Sequence, residues 1–155
     1  MNHELVMLRG ISHCRKKIRQ LEKECLNCAL KSFSSEYSRD GTIGQMRAVA
    51  TLAVEKDNLV RYVELVKTAL SDMPRGYRAL IAAVYVKKIP KEDLCKKYHV
   101  SLSTLYRKLA KARKSFREKL EALGCTESWF VATYGENEWI AGMLSRPRNG
   151  ARLAE

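Results

Sequence analysis

Residues 91–120 read KEDLCKKYHVSLSTLYRKLAKARKSFREKL. The stretch divides at His99-Val100-Ser101. Residues 91–98 form a short helix with Leu94 and Cys95 inward. Beyond the divide, Leu105, Leu109, Ala112, Phe116 and Leu120 recur at spacings of four and three. Successive helical residues turn by about 100°, so these five side chains make one buried stripe. Ser101 is the expected N-cap of that helix, its hydroxyl accepting from a first-turn amide. Opposite the stripe stand Ser103, Arg107, Ala110 and Lys114, flanked by Thr104, Tyr106 and Lys111. The outward face is thus small and polar at its start and basic further along. Such a face suits the major groove of DNA, where the first turns meet base edges and later cations reach phosphates. The candidate DNA-binding residues are Lys91, Ser101, Ser103, Thr104, Tyr106, Arg107, Lys108, Lys111 and Lys114. A plain solvated helix face would account for the charge, but not for a short turn, a cap and a stripe occurring together.

Outward from this stretch, residues 75–86 read as a helix with Leu80, Ile81, Val84 and Tyr85 apolar, broken at Ile89-Pro90. Pro74 suits its first turn. Residues 2–33 read as one long helix, with Met7, Ile11, Cys14, Ile18, Leu21, Cys25 and Cys28 on a narrow seam. Residues 34–44 contain Gly41 and Gly44 and read as a loop, with Thr42 as a cap for a second helix over 43–70. On that helix Val49, Leu52, Leu59, Val63, Val66 and Leu70 share a side. Two long helices joined by a loop pack most simply antiparallel. Beyond Gly124, which ends the third helix of the central region, Trp129, Phe130 and Tyr134 fall on a short helix over 126–134. Residues 145–155, with Pro147 and Gly150, read as a disordered basic tail. Alternating β-branched runs are absent. The expected fold is all-α: an antiparallel helical hairpin over 1–72 for oligomerisation or partner binding, a three-helix helix-turn-helix domain over 73–124, and a short helix with a flexible basic tail over 125–155.

The segment MPRGYRALIAAVYVKKIPKEDLCKKYHVSLSTLYRKLAKARKSFREKL, residues 73–120, resembles the fourth, promoter-reading region of bacterial RNA polymerase sigma factors, of the extracytoplasmic-function type. Its opening is similar to that family's Leu-Pro-x-x-x-Arg followed by an apolar helix. KEDLCKKYHVS resembles the Glu-Glu-Ile-Ala helix and turn. SLSTLYRKLAKARKSFREKL resembles the Ser-x-x-Thr-Val-x-x-Arg-Leu-x-x-Ala-Arg helix. The match is ungapped over a third of the chain. His99 stands where the family usually has Gly, at a position that calls for positive φ. Lys108 replaces an Arg, keeping the charge without the bidentate geometry. Residues 1–70 do not resemble the sigma region that melts promoter DNA, so the layout is instead similar to small phage-type transcription activators. The resemblance implies a sequence-specific regulator of transcription that binds double-stranded DNA, with RNA polymerase as a further partner and a homodimer through the N-terminal helices. Two other readings remain: a phage DNA-packaging recognition subunit, and an adaptor that binds polymerase without reading DNA.

Charge placement agrees with a polyanion partner. The net charge is +12, and residues 74–119 hold 14 Lys and Arg against three acids, 14 − 3 = +11. No catalytic set, cofactor loop or metal-binding cluster is apparent, and no enzymatic activity is expected. Cys25 and Cys28 form a CxxC, with His13-Cys14 upstream. However, Cys14, Cys25 and Cys28 all fall on the seam, and about 11 residues of helix rise about 16 Å, so buried small hydrophobes are the better reading. Five cysteines and no basic-then-apolar leader fit a reduced, cytoplasmic protein without disulfides. No apolar run approaches the ~20 residues of a membrane span.

Overall fold

The computed structural model describes residues 2–34 and 39–146. Among them it holds helices and no strand: α1 (His3–Ser34), α2 (Arg39–Ser71), α3 (Arg75–Ile81), α4 (Lys91–Tyr98), α5 (Leu102–Ala122), α6 (Glu127–Tyr134) and α7 (Glu138–Leu144). A π-helical turn, Ala82–Val86, continues α3. No helix of the described residues is long and apolar enough to cross a membrane. The chain parts into two compact units, one of residues 12–64 and one that joins Met1–Ile11 to Leu65–Glu155.

In the smaller unit Cys14 and Leu21 of α1 and Leu59, Tyr62 and Val63 of α2 are buried. Lys56 Nζ lies 3.3 Å from Glu22 Oε1, linking the two helices. Tyr62 is fully enclosed, although its position lies outside the expected stripe. Ile18, Cys25, Cys28, Val49 and Leu52 are only half-buried, and Leu26, Leu30, Ile43, Met46 and Val54 are exposed. α2 begins at Arg39, so residues 39–44 are helical rather than a loop, and Thr42 lies inside the helix instead of capping it. The two glycines that suggested a loop each cost a helix about 1 kcal/mol. A long helix absorbs that.

In the larger unit α5 supplies Leu105, Leu109, Ala112, Phe116 and Leu120 to the core, the five residues of the expected stripe. Also buried in this unit are Leu80 and Ile81 of α3, Leu94 of α4, Phe130 and Tyr134 of α6, and Ile140 and Met143 of α7. The start of α1 also belongs here. Val6, Met7 and Leu8 are consecutive and fully buried. Neighbouring helical residues point in different directions, so this part of α1 is covered on more than one side and not merely along a seam, while Arg9 stays exposed. His3 Nε2 lies 3.2 Å from the Cys125 carbonyl, and the Cys125 thiol lies 3.6 Å from Met7 Sδ. These contacts, with buried Val66 and Ala69 at the end of α2, explain why the compact units do not part at residue 72.

Caps delimit the short helices. Ser101, Thr126 and Asn137 accept from first-turn amides of α5, α6 and α7. Pro74 and Pro90 sit at the N-caps of α3 and α4, extended just before the helix begins. Gly124, at φ 85°, follows α5, and the next amide, Cys125, returns to the Leu120 carbonyl at 2.9 Å. α7 was not expected from the sequence, and the basic tail beyond residue 146 lies outside the described residues.

Candidate nucleic-acid interface

α4 and α5 are joined by His99, Val100 and Ser101. Two local features set this junction. His99 adopts φ 54°, ψ 45°, the left-handed conformation that turns the chain out of α4. Ser101 is extended and starts α5 with its Oγ 3.3 Å from the Thr104 amide. The junction is therefore built by backbone geometry and one cap, and the stripe on α5 determines which face turns outward.

That outward face carries Ser103, Arg107, Ala110, Lys111 and Lys114, all exposed, with Lys108 exposed beside them. At its N-terminal end the hydroxyls are already networked. Ser101 Oγ donates to Thr104 Oγ1 at 2.9 Å and lies 3.2 Å from Ser103 Oγ. Arg107 donates from Nη2 to Thr104 Oγ1 at 3.3 Å. The structure therefore brings Ser101, Ser103, Thr104 and Arg107 into one polar cluster. Arg107 spends one donor on it, and a guanidinium has five.

A second group forms between α4 and α5. Lys91 Nζ lies 4.7 Å from the Tyr106 ring centroid and donates to the Tyr106 hydroxyl at 3.5 Å. Both side chains are half-buried, so this pair is held in place to one side of the exposed face. Arg113 is turned the other way. Its charge acts on Tyr85, and its Nε is buried without a hydrogen-bond partner. Burial pushes the Tyr85 hydroxyl's pKa up, and the charges of Arg113 and Arg9 partly offset this. Arg113 thus belongs to the interior side of α5.

The remaining electrostatics are one-sided. Among the described residues, none of the 14 basic side chains between residues 74 and 119 is ion-paired to a carboxylate. A basic surface without internal counterions keeps its field for an external polyanion. The sequence reading did not single out Tyr77, Tyr98 and Val100, which together with Leu80 and Leu105 line a cavity beside Lys108 and Lys111. A hydropathy stripe does not reveal a gap between helices, and nothing in the local pattern signalled it. The cysteines of α1 bring no metal site together: among the described residues no three His, Cys, Asp or Glu side chains converge. No family model, curated protein or solved structure matches this chain, so a functional reading has to stand on the chemistry of this surface.

Proposed function

We propose that the chain is a sequence-specific, double-stranded DNA-binding regulator of transcription, with α3–α5 as a helix-turn-helix domain and α5 as the helix that enters the major groove. The observation that carries this reading is the exposed face of α5. Small hydroxyl side chains and Arg107 occupy its first turns, and unpaired lysines follow. An arginine one turn into such a helix can bond two acceptors on guanine, while Lys111 and Lys114 reach phosphates. The three-residue junction, with its left-handed His99 and capping Ser101, is the kind of tight turn such a domain requires.

For the smaller unit we infer an antiparallel hairpin of α1 and α2 that dimerises. Leu26 and Met46 are 59% and 68% exposed, an apolar cost that a second copy would remove. Two-fold binding to paired half-sites would follow.

The test begins with selection of bound duplexes from a random pool. Arg107→Ala is then expected to cost about 1–3 kcal/mol on the selected site and much less on random duplex. Lys111→Ala is expected to weaken both about equally. Both variants are titrated on both duplexes at one salt concentration. Equal losses for Arg107→Ala would make Arg107 a phosphate contact and move base reading to Ser103, Thr104 or Tyr106. Selection that enriches nothing would overturn sequence-specific reading.

A further inference from the structure

A cavity of about 380 Å³ opens between the start of α3, the α4–α5 junction and the first half of α5. Its size lies within the ~300–1,000 Å³ of small-molecule sites. Leu80, Val100 and Leu105 give it apolar walls, and Tyr98, 41% exposed, leaves an aromatic ring at its edge. Lys108 and Lys111 stand beside it. They are three residues apart on α5, about 4.5 Å along the helix axis, so one anionic group can meet both. No acidic side chain lines the cavity, and neither lysine is ion-paired among the described residues. A simple packing void is dry and lined by apolar groups alone. This one pairs an apolar interior with two uncompensated ammonium groups.

We propose that this cavity binds one small apolar anion, an aromatic or aliphatic carboxylate or sulfonate, and that its occupant excludes DNA. The apolar body fills the space against Leu80, Val100 and Leu105, with Tyr98 closing over it. The anionic head sits between Lys108 and Lys111. The exclusion rests on the DNA-binding reading above, because the same two lysines then serve phosphates. An occupant engages both ammonium groups, cancels one of their two positive charges and holds an anion where a phosphate would otherwise sit.

The test uses two probes with one aromatic frame, 1-anilinonaphthalene-8-sulfonate and uncharged N-phenyl-1-naphthylamine, each titrated into the full chain by fluorescence. The expected result is saturable one-to-one binding of the sulfonate, at least about tenfold tighter than the neutral probe, since a charge-assisted contact contributes on that scale. The Lys108→Ala/Lys111→Ala double variant is expected to lose about tenfold in sulfonate affinity and to keep its affinity for the neutral probe. Tyr98→Ala is expected to weaken both. All three positions are exposed, and superimposable thermal melts check that the variants fold. Non-saturating binding, equal affinity for the two probes, or an unaffected double variant would each overturn the site. Duplex DNA is then added to the probe-loaded chain. Displacement of the sulfonate supports exclusion, and duplex bound alongside retained probe overturns it. If no duplex binds at any salt while the double variant still loses the sulfonate, the DNA-binding reading fails and the anion site stands.

Discussion

His99 shows how much a single backbone conformation decides. At φ 54° a side chain with a Cβ is strained by roughly 1–2 kcal/mol, and glycine is not. Glycine also adds unfolded-state freedom worth about 0.4–1 kcal/mol against it. His99→Gly is therefore expected to stabilise the larger unit by about 0.5–1 kcal/mol, read as a higher urea midpoint at unchanged slope. A lower midpoint would show that the His99 side chain contributes more than its backbone costs. A positive φ at residue 99 was an expectation of the sequence, and the backbone adopts it. Lys88 has the same φ and was not anticipated. It follows a π turn that returns the Lys87 amide to the Ala82 carbonyl at 2.8 Å and the Ile89 amide to the Ala83 carbonyl at 2.9 Å. A widened turn of this kind leaves no mark in apolar spacing. Ser101 was readable as a cap, and losing its hydroxyl in Ser101→Ala should cost about 1 kcal/mol.

At the scale of the element, α5 is the best-determined helix. Its stripe follows a single period and each member is buried. Leu109→Ala is expected to cost about 2–5 kcal/mol, because it leaves a cavity where α3 and α4 pack against α5. Ala110→Ser, on the exposed face, should stay within about 0.5 kcal/mol. Chemical denaturation of the two variants side by side checks the phase of the helix. If Leu109→Ala left the midpoint in place, the outward face would have to be redrawn and the DNA-contacting residues with it. α1 was harder to read. Its stripe is buried at Met7, Ile11, Cys14 and Leu21 and half-buried at Ile18, yet buried Val6 and Leu8 lie off it. Periodicity describes a helix with one covered side, and the start of α1 is covered on several. α7 escaped notice because its cap, Asn137, follows Gly135 and Glu136 closely, and seven residues are too few to establish a period.

At the scale of the molecule, charge and burial make separate predictions. If the unpaired basic surface neutralises about five phosphates, log K for duplex should fall with log salt at a slope of about −4 to −5, and Lys111→Ala should reduce that slope by about one. A slope near zero would remove the electrostatic part of the proposed function. Burial acts through the thiols. It pushes Cys14 up to about 12 and Cys125 up to about 11, from an ordinary value of 9.0. The unfolded chain therefore loses these protons first as pH rises. Their contribution to stability is fully present below about 9 and declines toward 12. The melting temperature should accordingly fall between pH 8 and pH 10.5. In the folded chain Cys14 and Cys125 should resist alkylation while the half-buried Cys25, Cys28 and Cys95 react.

The sequence by itself determined the helical class, the α4–junction–α5 arrangement, the buried side of α5 and the concentration of positive charge around it. Those properties are local: period, cap and charge are all written within a few turns of chain. Tertiary structure decided that the start of α1 and the end of α2 join the C-terminal helices, that Tyr62 and Cys125 are interior, that the Nε of Arg113 is buried, and that a cavity opens beside Lys108 and Lys111. Each of these depends on which surfaces meet across more than a hundred residues or between separate helices. Burial against a distant partner is a property of the packed pair, and neither segment carries it alone.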